Sequence, residues 1–137
     1  MAKPSMVTLQ GTRDIPVKEW IPFLANFTRE NRGAHAFLEV LGEGVGRQVA
    51  TEDRPFDGIS ADAKDGENTV WIAFSSAPDD LFTHGVHGAT AIRVRQATAD
   101  SGAAIEVEAR DGTTTLLTLS RPEEYALPAS RENRPSL

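Results

Sequence analysis

His84 and His87, three residues apart and just behind Asp79 and Asp80, have the side-chain types that could hold zinc or iron or pass a proton. Such metals take imidazole nitrogens and carboxylate oxygens, and an unperturbed imidazole titrates at about 6.5. Three-residue spacing brings both rings to one face only on a helix, and Gly85 and Gly88 oppose a helix there. The competing expectation is that Asp79-Asp80 opens a turn and His84 makes a local hydrogen bond. Asp79, Asp80, His84 and His87 are therefore the ligand-binding candidates, and no catalytic set is identified. Structural zinc takes four closed protein ligands, so neither a metal nor a cofactor is expected.

A second acidic group, Glu52, Asp53, Asp57, Asp62, Asp65 and Glu67, could offer hard oxygen ligands to calcium or magnesium. Its spacing does not match the calcium loop D-x-[DN]-x-[DN]-G-x5-E, and Asp57-Gly58 and Asp65-Gly66 already read as turns. Gly42-Glu43-Gly44-Val45-Gly46 lacks the full spacing of a dinucleotide loop and is expected to join strands. The chain has no cysteine, which excludes disulfides, thiolate nucleophiles and cysteine-held zinc or iron–sulfur centres. Fourteen basic against 20 acidic side chains give a net charge of −6, which opposes phosphate-driven nucleic-acid binding.

These candidates need a scaffold, and 137 residues, 39% of them hydrophobic, suit one domain with one core. Trp20, Phe23, Leu24 and Phe27 recur at i, i+3, i+4 and i+7, the stripe of an amphipathic helix. Pro22 belongs in its first turn, so the helix should begin near Glu19 to Ile21 and stop around Gly33, with a short turn at Pro16 to Lys18 ahead of it. Period-two alternation then predicts strands at His35 to Leu41, Val70 to Phe74 and Ile92 to Arg95, and Arg47 to Glu52 is a further candidate. Ile105 to Arg110 and Thr113 to Leu119 flank Asp111-Gly112, which predicts a hairpin closed by a two-residue type I′ turn. Asp65-Gly66 predicts a second hairpin, from Ile59 to Ala63 into Thr69 to Ser75. Ala77 to Gly88 reads as a loop or one helical turn. Arg93 and Arg95 facing Glu106 and Glu108 should form a solvent-facing ladder of opposite charges.

The expected fold class is α+β: one amphipathic helix packed on an antiparallel, curled or barrel-like sheet of five to six strands. Val70, Ile72, Phe74, Ile92, Val94, Ile105 and Val107 are the expected core. The domain should span residues 7–120, with flexible segments at 1–6 and at 121–137, the latter rich in proline and polar residues. No secretory-type stretch or run of about 20 apolar residues is found, so a cytoplasmic location in a bacterium and no membrane association are expected.

The ordered motifs Arg13-Asp14-Ile15-Pro16, Glu19-Trp20, Phe23, Phe27, Arg32-Gly33, Val40-Leu41-Gly42, Gln48-Val49, Asp57 to Asp62, Lys64-Asp65-Gly66, His84 and Asp111 to Leu116 make the chain resemble a bacterial family, domain of unknown function 5335. The resemblance implies no activity, cofactor or site residue. The reading drawn from the residues themselves is a small non-enzymatic binding or protein-interaction domain. Its partner would be a protein or a small molecule, with a homodimer through an edge strand as one form. The alternative is a small hydrolase or isomerase that pairs His84 with a carboxylate from another strand.

Overall fold

The computed structural model describes residues 12–42, 46–64, 66–77, 80–98 and 102–120. Strand β1 is Arg13–Asp14, a 3-10 turn follows at Val17–Glu19, and helix α1 is Trp20–Asn31. The remaining strands are β2 (His35–Gly42), β3 (Gly46–Lys64), β4 (Glu67–Ala77), β5 (Asp80–His87), β6 (Ala89–Arg95), β7 (Ala104–Ala109) and β8 (Thr114–Ser120). All pairings are antiparallel, in the order β1-β6-β7-β8-β2-β3-β4-β5. The α+β class holds, but the described residues form eight strands rather than five to six. The sheet curls without closing, since β1 and β5 end the order and do not pair.

Two corners produce the curl. β3 pairs with β2 as far as Pro55 and with β4 from Phe56 onward, so one strand serves two sections of sheet. Just before that exchange the register with β2 slips, and Asp53 takes the left-handed φ of 53° within a bulge that turns the strand. The Nδ1 of His35 lies 2.5 Å from an Asp53 carboxylate oxygen across the bulge. Asp53-Arg54-Pro55 looks like a break in sequence because proline cannot donate to a ladder, and here it sits at the exchange of partners. The second corner is Gly88, with φ of +70°, where the chain leaves β5 and enters β6. Its carbonyl accepts the Arg110 N–H at 2.8 Å.

Helix α1 packs on the concave side. Trp20, Leu24 and Phe27 are buried, and Phe23 packs against the same cluster, as the spacing requires. Phe27 meets Phe56 edge-on, with centroids 6.0 Å apart. The Thr28 hydroxyl bonds both backbone groups of Ile59, accepting from its N–H at 2.9 Å and donating to its carbonyl at 3.1 Å. Trp20 is 2% exposed, and its indole N–H donates to the Ile15 carbonyl at 2.9 Å. All seven expected core residues are buried.

Four local expectations need correction. Asp57-Gly58, read as a turn, lies within strand β3, where Gly58 pairs with Ala73 at a register shift. Residues 80–87 form strand β5, not a loop or helical turn. Gly85, which suggests a loop in sequence, stands opposite Trp71, and a Cβ there would come within 2.6 Å of the indole ring. The indole thus covers a glycine in a paired strand, an arrangement sequence periodicity does not advertise. The final hairpin is real, but its loop is the three residues Arg110-Asp111-Gly112. Asp111 keeps a negative φ and only Gly112, at +94°, is left-handed, the pattern of a turn followed by a G1 bulge. The charge ladder forms only in part: Arg93 reaches Asp14 at 3.0 Å, Glu108 at 3.3 Å and Glu106 at 3.7 Å, while Arg95 donates to the Gly102 carbonyl at 3.1 Å. It is not solvent-facing throughout, because Glu106 is only 3% exposed. The hairpin at Gly66 forms with Lys64 opposite Glu67. The expected tails, the middle of the Gly42 to Gly46 turn, Asp65 and Asp79 lie outside the described residues.

Trp20→Ala should cost about 3–5 kcal/mol in denaturant unfolding, the range for truncating a large buried aromatic; a loss below about 0.5 kcal/mol would contradict its place in the core. Gly112→Val should cost about 1–3 kcal/mol because a β-branched residue is strained at that φ, whereas Gly112→Asn should cost less. Thermal unfolding of the two variants side by side checks the order.

Candidate functional site

Because β5 does not pair on its far side with any described strand, a cleft of about 240 Å³ opens along the seam between β5 and the β7–β8 hairpin. His84, Val86 and His87 line it from β5. The hairpin side supplies Ala109, Asp111, Thr113 and Thr115, and Val40 of β2 closes the back.

Strand register decides where each polar group points. His84 is directly opposite Ile72, and Val86 opposite Val70, so His84 belongs to the concave face with those buried residues. Thr115 is opposite Val107 on one side and Val40 on the other, which places it on the same face. Thr115 is 2% exposed and His84 is half-buried. Both side chains line the cleft. Each can donate and accept a hydrogen bond.

Electrostatics sharpen the picture. Burial, aided by the neighbouring His87 imidazole, pushes His84 below its ordinary value of 6.5. At neutral pH it is therefore uncharged, with one donor and one acceptor nitrogen. Asp111 sits exposed at the mouth. Hydrogen bonds from the Thr113 N–H at 2.9 Å and hydroxyl at 2.8 Å hold its carboxyl below the usual range.

Of the sequence candidates, His84 and His87 both line the cleft, but their side chains leave opposite faces of β5. His87 is opposite Thr69 and meets Trp71 edge-on, with ring centroids 5.6 Å apart. Asp80 opens β5, and Asp79 lies outside the described residues. No three His, Asp or Glu side chains gather to hold a metal among the described residues. The residue that sequence reasoning missed is Thr115. Its signal was available, since it shares the alternation of Leu117 and Leu119 and so puts a hydroxyl where a core side chain belongs.

The fold and its seam define a small α+β domain with a cleft in a curled antiparallel sheet. The chain belongs to the Family of unknown function (DUF5335), which it matches over residues 11–128. It is also 31% identical over 74 residues to an "Uncharacterized protein" of Aquifex aeolicus (strain VF5). That match covers 54% of this chain and 65% of the Aquifex protein. No solved structure matches. Among the described residues, no helix is long and apolar enough to cross a membrane.

The His84 shift has a measurable consequence. Because its folded value lies below that of the unfolded chain, the unfolded state takes up the proton first as pH falls. Stability should be intact above about pH 6.5 and decline below it, as pH falls toward and through the folded value. An imidazole NMR titration should place the His84 midpoint below 6.5. The slope of Tm with pH in that window should flatten in His84→Asn, and a midpoint at or above the ordinary value would contradict the burial argument.

Proposed function

We propose that this chain is a non-enzymatic binding domain that takes a small molecule into the seam cleft. The observation that carries this reading is the pair of inward-facing polar groups, His84 and Thr115, that line a cleft at the place where the curled sheet fails to close. Catalysis fits less well. A general base is normally oriented by a second group, and no carboxylate hydrogen-bonds His84 among the described residues. The one carboxylate on the lining, Asp111, has an oxygen engaged by Thr113.

The test is a thermal-shift screen against small metabolites of every charge class, run on the full chain and on Val40→Trp, which fills the back of the cleft. At 100 times Kd a ligand stabilises the folded state by about 2.7 kcal/mol, which gives a clear Tm rise. At least one compound should raise Tm in the wild type and not in the variant. A screen without hits, or hits indifferent to Val40→Trp, would remove the cleft as the binding site.

A further inference from the structure

Resting on the small-molecule reading above, we infer that the cleft selects an uncharged ligand with a compact apolar body and one hydrogen-bonding head that both donates and accepts. The walls define the body. Val40, Val86 and Ala109 offer only hydrocarbon, and the volume of about 240 Å³ exceeds the roughly 150 Å³ of an apolar cavity that accepts benzene. A monocyclic ring fits.

The polar groups define the head. Thr115 and neutral His84 are each able to donate and to accept, and they line the cleft from the concave face, so a hydroxyl or a primary amide is a match for either. Neither carries a charge at neutral pH, and among the described residues no lysine or arginine lines the cleft. An anion would therefore lose its hydration without a cation to replace it, and it would pass the Asp111 carboxylate at the mouth. A cation gains little. Asp111 is fully exposed, where water screens its attraction, and among the described residues no other carboxylate lines the cleft to receive an ammonium group.

Four probes of one shape test this: benzyl alcohol, toluene, benzoate and benzylammonium. Each is titrated into the isotope-labelled full chain while the His84 ring and Thr115 amide signals are followed. Benzyl alcohol should shift both saturably, with toluene at least tenfold weaker and both ions weaker still. Thr115→Val, which keeps the shape and removes the hydroxyl, should weaken benzyl alcohol about tenfold, or about 1.4 kcal/mol, and leave toluene unchanged. Tighter binding of benzoate or benzylammonium at these signals would overturn the ligand class while leaving the cleft a binding site. If no probe moves either signal at millimolar concentration, both readings fall and the cleft holds only water. An unchanged benzyl alcohol affinity in Thr115→Val would remove the hydroxyl from recognition.

Discussion

The buried stripe of Trp20, Leu24 and Phe27 is the constraint on which the rest of this structure depends. One helix with three large apolar side chains on one face needs a concave apolar surface, and a flat sheet of eight short antiparallel strands does not supply one. The sheet therefore bends around the helix. Phe56, the residue at which β3 changes partners, is also the residue that meets Phe27 edge-on. Helix packing and sheet curvature are thus one interaction seen from two sides, and the contact adds about 0.5–1.5 kcal/mol beyond the area it buries.

Curvature has a geometric consequence at the other end of the ladder. A barrel closes only when strand number, tilt and register agree, and here β5 passes into β6 through the single residue Gly88 without pairing across the gap. The chain connects the two sections covalently, while the ladder leaves an opening beside the β7–β8 hairpin. Polar groups such as His84 and Thr115 can be kept there, at positions that elsewhere on the same strands hold Val86 and Leu117.

Charge on the opposite face follows a different logic. Arg93 reaches three carboxylates from β1 and β7, tying the two-residue β1 to the sheet. Glu106 is buried, so its neighbourhood with Arg93 offsets a desolvation cost that an exposed ladder would not incur. This network fixes register, as cross-strand pairs do, and it faces away from the cleft.

Local sequence determined the helix, both hairpins, the seven core residues and the family, because each rests on patterns a few residues long: the 3.6 period, the alternation of two, and glycine at a left-handed φ. The length of the hairpin loop was less legible, since Asp111-Gly112 suits a type I′ turn as well as the last two positions of the bulged loop that formed. Strand β5 was hidden because Gly85 is compensated by Trp71, fourteen residues earlier, and only pairing brings them together. The cleft was hidden for the same reason. His84 was visible as a titratable residue, but its separation from His87 across the strand and its shared face with Thr115 depend on which strands lie opposite one another. That is decided by long-range register and by where the curled ladder stops, neither of which is encoded in any short stretch of chain.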